Sequence, residues 1–125
     1  MSYDTNNIFA RILRQEIQCN KVFEDEFCLA FTDLHPAAPI HVLVIPKENH
    51  TDFSSFCSHA SPNQIVGFFQ GVTKTLEKLG LSSSNGYRLI TNCGLNGCQT
   101  VSHFHIHILG GKKLGPLIIT DTYHE

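Results

Sequence analysis

The chain reads as one α+β domain with a mainly antiparallel sheet. Strand-like runs lie on both sides of a single long helical stretch, and no βαβ rhythm repeats along the sequence. The 125 residues fit one domain of about 100–200 residues, and a chain of that size builds a core without staples.

In chain order, Asn6 to Gln15 places Ile8, Phe9, Ile12 and Leu13 at helical spacing, which predicts a short amphipathic helix. Lys21 to Asp25 and Cys28 to Asp33 read as two short strands meeting at Glu26. Ile40 to Pro46 is dense in β-branched residues and stops at a proline, as a strand end does. The long helix opens at Ser61, with Pro62 at its first position and Gln64 completing a capping box. Ile65, Phe68, Phe69, Val72, Leu76 and Leu79 then form one apolar stripe, and Gly80 releases the chain. Gly67 and Gly71 lie on one side of this helix, where close packing on a sheet and close contact with a second copy are both open. Gly86 to Asn92 and Ser102 to Leu109 alternate as strands, joined by a loop from Cys93 to Val101.

Composition narrows the function classes. A hydrophobic fraction of 42% with 16% charged residues is that of a globular domain. A net charge of −2 offers no basic footprint for polymeric nucleic acid, although a single nucleotide can be held by local donors. No apolar run approaches the roughly 20 residues of a membrane helix. The five cysteines, Cys19, Cys28, Cys57, Cys93 and Cys98, include no CxxC pair and follow no leading apolar segment. Free thiols and a cytoplasmic location are the expectation.

The chemistry concentrates in Ser102 to Leu109, where His103, His105 and His107 alternate with Phe104, Ile106 and Ile108. Period two along a strand sends the imidazoles to one side, about 6.5–7 Å apart, and the apolar residues to the core. Burying that many imidazoles without purpose is unfavourable, because each needs a partner when enclosed. Two chemistries can use such a row. Metal ligation requires a third ligand and an open position, which His41 or His50 could supply only if the fold brought it near. Nucleophilic catalysis requires a neutral imidazole whose second nitrogen is held as a donor. Just upstream, Gly97 to Val101 carries backbone N–H groups, Gln99 and the Thr100 hydroxyl, and Asn92 adds an amide; these suit a phosphate.

The run from Gln99 to Gly111 resembles the signature of the histidine-triad (HIT) superfamily, closest to its Hint branch of nucleotide-binding proteins. Ile8 to Ile12, Phe23 to Asp25, Ala30 to Asp33, Pro36 to Lys47 and Gly86 to Arg88 follow in the family's order. The resemblance spans about 4–116, so the whole of 1–125 is expected to be a single domain with a C-terminal tail at 117–125. It implies a sheet of about five antiparallel strands, one long and one short helix, and pairing into a homodimer. It also implies AMP or GMP conjugates as ligands, cleaved to the nucleoside monophosphate with no cofactor.

By that resemblance His105 stands at the nucleophile position and His107 contacts the phosphate and helps the leaving group. His103 and His41 orient the row. Asn92, Gln99 and Thr100 fall on the phosphate side, and Asp33 at the carboxylate that accepts the ribose hydroxyls. Ile8, Phe9, Phe31 and Leu34 match the apolar walls around the base. Asp33 also suits a turn before His35-Pro36, and Phe31 suits a core. The sequence departs from the family's pattern in places. Asn7 and Ala10 stand where some members carry a zinc-binding CxxC, which argues against structural zinc. Cys98 stands where glycine is usual, and Thr100 where serine is. The tail does not match that of animal members.

Overall fold

The structure, a computed structural model, describes residues 2–118. Alternation along the strands sorts side chains onto two faces of one sheet. On one face Cys28, Ala30, Val42, Val44, Ile106 and Ile108 join Phe68, Val72 and Leu76 in the larger core; on the other, Leu29, Phe31, Leu43 and Ile45 meet Phe9 and Ile12. The elements in order are α1 (Ile8–Leu13), β1 (Lys21–Glu24), β2 (Cys28–Thr32), β3 (Ile40–Pro46), α2 (Phe53–His59), α3 (Pro62–Lys78), β4 (Arg88–Ile90) and β5 (Ile106–Gly110). The strands form one five-stranded sheet in the order β1-β2-β3-β5-β4, every pairing antiparallel. Helices α2 and α3 cover one face and α1 the other, so the expected α+β class holds.

Helix α3 keeps its predicted start. The Ser61 hydroxyl accepts from Gln64 N–H at 3.2 Å and the Gln64 side chain accepts from Ser61 N–H at 3.0 Å. Beyond its end, Gly80 takes φ +71°, a left-handed backbone that suits glycine. One member of its predicted stripe, Phe69, turns out 37% exposed rather than buried. The two helix glycines serve the sheet contact. A Cβ at Gly67 would lie 2.4 Å from the Phe27 ring, and one at Gly71 would lie 2.4 Å from the Cys28 sulfur.

Three expectations need correction. There are two short helices, not one: α2 is additional, capped by Asp52, whose carboxylate accepts from Ser55 N–H at 2.8 Å. Its Phe56 stacks on Phe104 with ring centroids 4.8 Å apart, which is the packing that holds this short segment helical. The strand predicted from Ser102 begins only at Ile106, so His103 and His105 precede it. The ladder stops because Pro46, opposite this stretch, has no N–H to donate. The Pro46 carbonyl instead takes the His103 ring at 3.1 Å, and the Thr91 hydroxyl donates to the His105 carbonyl at 2.8 Å. Likewise the strand predicted from Gly86 to Asn92 shortens to β4. The predicted tail lies mostly outside the described residues. Among those residues no helix is long and apolar enough to cross a membrane.

Candidate active site

On the α1 face, the described residues enclose a cleft of about 330 Å³, within the size range of small-molecule sites. Its lining includes Ile8, Phe9, Phe31, Asp33, Leu34, Thr100, His105 and His107. These come from four separated stretches of the chain, gathered by β2, β5, α1 and their loops. Leu34 lines the cleft while remaining 77% exposed, so that side is open. His103, His41, Asn92 and Gln99 lie outside the lining, the two histidines behind it.

The three imidazoles of the row do share the α1 face. Phe9 sets its ring edge-on to His103 and His105, with centroids 6.3 and 5.0 Å away, and His105 and His107 are 5.1 Å apart. Phe104, Ile106 and Ile108 are buried on the opposite face, as the alternation requires.

Hydrogen bonding fixes each tautomer. The Nδ1 of His105 sits 2.7 Å from the His103 carbonyl. A carbonyl can only accept, so Nδ1 carries the proton and Nε2 keeps its lone pair. Among the described residues nothing bonds that Nε2. For His41, Nδ1 accepts the Ala37 N–H at 3.0 Å, which places its proton on Nε2. That proton is donated to His107 Nδ1 at 2.9 Å, so His107 presents an N–H at Nε2. His103 donates from Nε2 to Pro46, leaving Nδ1 as an acceptor. The cleft therefore offers one imidazole as a lone-pair donor and its neighbour as a proton donor.

Burial keeps the row neutral. It pushes His103 and His107 down to about 4, and it lowers His105 and His41 below the ordinary histidine value. The neighbouring imidazoles push His107 further in the same direction, while Asp33 opposes.

Asp33 divides its work. Oδ1 accepts from His35 N–H at 2.8 Å, closing the turn before Pro36, and Oδ2 lies 3.5 Å from His41 Nε2. Spare lone pairs remain on the cleft side. The loop amides are more committed. Gln99 spends both amide hydrogens on the Thr51 and Val101 carbonyls, and Asn92 spends one on the Gly97 carbonyl at 2.6 Å. Their role is to shape the loop that presents Thr100. Cys98 holds φ +58°, the left-handed end of a turn in which Cys98 N–H bonds Leu95 and Gln99 N–H bonds Gly94. A glycine would occupy that position without strain.

Asp33, His41 and His107 place ligand-type atoms within 4.8 Å of one another. The set does not fit a metal as it stands, because His41 Nε2 is protonated and a ligating nitrogen must be bare. His50 is not part of this group; it is paired with Glu48 at 3.1 Å and packed against Phe56. Sequence reasoning missed two contributors. Tyr3 meets His103, and the His50 carbonyl accepts from Phe104 N–H at 2.7 Å. The only signal for either lies in pairing across the fold.

The profile of the HIT domain family matches residues 14–114. The chain is 47% identical to a 13.2 kDa HIT-like protein of Azospirillum brasilense over 94% of its own length and 95% of that relative's. It is 39% identical to a protein of Zea mays named as a 14 kDa zinc-binding protein, over 89% of this chain and 86% of the relative. Among solved structures it resembles a HIT family hydrolase from Clostridium thermocellum, with TM-score 0.78, 38% identity, and coverage of 91% of this chain and 97% of that one.

Proposed function

The chain belongs to the HIT domain family, and from that premise we propose that it is a purine nucleoside phosphoramidase acting through a covalent nucleotidyl-histidine. The observation that carries the reading is the His105 tautomer: Nδ1–H on a main-chain carbonyl at 2.7 Å, with Nε2 bare in the cleft. That lone pair attacks the α-phosphorus of an AMP or GMP conjugate, forming a P–N bond to the imidazole. The bond to the leaving amine breaks, and His107 Nε2–H supplies its proton. Water then attacks phosphorus and gives its proton back to His107 Nε2, the P–N bond to the imidazole breaks, and the nucleoside monophosphate leaves with both histidines restored. Thr100 and the loop N–H groups face the phosphate, where charge accumulates. Asp33 accepts from the ribose, and Ile8, Phe9, Phe31 and Leu34 border the base.

The test is hydrolysis of adenosine 5'-phosphoramidate in the presence of EDTA. His105→Ala should lose at least about 10³-fold in turnover, the scale of removing a nucleophile. Near-normal turnover in that variant would overturn the assignment. A parallel assay with dinucleotide polyphosphates separates the amidase reading from polyphosphate hydrolysis at the same site.

A metal reading draws on the maize relative's name and on the Asp33, His41 and His107 grouping. Against it stands the Ala37 N–H on His41 Nδ1, which keeps the proton on Nε2, the nitrogen that faces the group. Activity abolished by chelation and restored by zinc would favour it instead.

Pairing into a homodimer is part of the same proposal. Strand β4 is an edge of the sheet, with Leu89 exposed 43%, and Val66 and Phe69 lie uncovered on α3. Open strand edges and apolar helix faces invite a partner. Sedimentation equilibrium at the mass of one chain would exclude it.

A further inference from the structure

His103 takes no part in lining the cleft, yet its side chain is completely buried and both ring nitrogens are engaged. Nε2–H donates to the Pro46 carbonyl at 3.1 Å, so Nδ1 can only accept. The group that meets it is the Tyr3 hydroxyl at 2.5 Å, which therefore donates. Burial raises the tyrosine above its usual value, keeping the donor protonated at neutral pH. The two rings also meet edge to face, with centroids 5.6 Å apart.

The position of His103 matters because its main-chain carbonyl holds the His105 proton at 2.7 Å. In a strand, ladder hydrogen bonds would fix that carbonyl. Strand β5 begins only at Ile106, so the His103 peptide has no ladder, and other anchors must set it. Those anchors are the Phe104 N–H on the His50 carbonyl and the His103 ring itself, held from two sides. The chain just after Tyr3 is in turn tied to the start of α1. Asp4 Oδ1 accepts from Asn6 N–H at 2.9 Å, the Asp4 carbonyl accepts from the Asn7 amide at 2.7 Å, and Asn7 caps α1 at Ala10 N–H.

We propose that Tyr3 is a positioning residue for the nucleophile: its hydroxyl locks the His103 ring, and with it the carbonyl that selects the His105 tautomer. The inference rests on His105 being the nucleophile. Tyr3 does not itself line the cleft, and its hydroxyl acts on the site through His103.

The experiment compares the full chain with Tyr3→Phe, which keeps the ring and removes only the donor. Turnover of adenosine 5'-phosphoramidate and ring ¹⁵N spectra of the histidines are measured side by side, with thermal unfolding as a control. The expected result is a kcat lower by about 3- to 10-fold, the scale of one hydrogen bond, with KM within about twofold. The His103 Nδ1 resonance should move towards that of an unbonded nitrogen, and the His105 resonances should shift with it. Unchanged His105 resonances in Tyr3→Phe would overturn the proposal. So would wild-type kcat, or a fall in melting temperature with kcat intact, since both describe a residue that only anchors the chain's start. A wild-type chain inert towards the probe would defeat the phosphoramidase reading alone, because the spectra still decide whether Tyr3 positions His105.

Discussion

At the scale of single residues, the site works by assigning one proton to each imidazole. Carbonyl oxygens and an amide N–H make those assignments, since neither can switch between donor and acceptor. Burial lowers His105, so the acid limb of kcat/KM should fall below the ordinary histidine value of about 6.5. A pH–rate profile with an acid limb at or above that value would contradict a neutral, buried nucleophile. Cys98 presents a separate residue-level question. A non-glycine residue at φ +58° is strained by about 1–2 kcal/mol, partly offset because glycine is freer in the unfolded chain. Cys98→Gly is therefore expected to stabilise the protein by about 0.5–1 kcal/mol in urea unfolding. Destabilisation would mean that the thiol makes a contact worth more than the strain.

At the scale of elements, the decisive contact is the close approach of α3 to the strands beneath it. A Cβ at Gly71 would lie 2.4 Å from the buried Cys28 sulfur, with the next atom, Cys28 Cβ, at 3.6 Å. Gly71→Ala should cost about 1–3 kcal/mol, the usual range for overpacking, despite alanine's better helix propensity. Removing the sulfur should relieve it. In a Cys28→Ala background the same substitution is expected to cost markedly less, and a double-mutant cycle measures the difference. Equal costs in both backgrounds would place the clash elsewhere. The capping box of α3, the β-branched density of β3 and the alternation through β5 were legible because each depends on neighbours in sequence. Helix α2 was not, because its Phe56 is held by Phe104 and Phe68 from distant stretches.

For the whole molecule, the buried histidines couple folding to pH. His103 is pushed down to about 4 in the fold, whereas the unfolded imidazole takes its proton near 6.5. The unfolded state thus binds the extra proton between those values, and stability falls as pH drops from about 6.5 to about 4. The slope for this residue reaches about 1.4 kcal/mol per pH unit, and His107 acts in the same direction. Unfolding free energies that stay flat across this window would show that the row is hydrated or already charged in the folded state.

The sequence by itself determined which side chains share a face, where α3 starts, and that imidazoles gather opposite an apolar row. Periodicity and capping are local, so a single strand of text contains them. Tertiary structure alone decided which nitrogen of His103 and of His107 carries the proton, where the histidine strand begins, and that the Gln99 amide is spent on main-chain carbonyls. Those outcomes depend on partners 57, 66 and 100 residues away: Pro46 with His103, His41 with His107, Tyr3 with His103. Hydrogen-bond geometry acts over about 3 Å in space, and no spacing along the chain encodes a pairing at such separation.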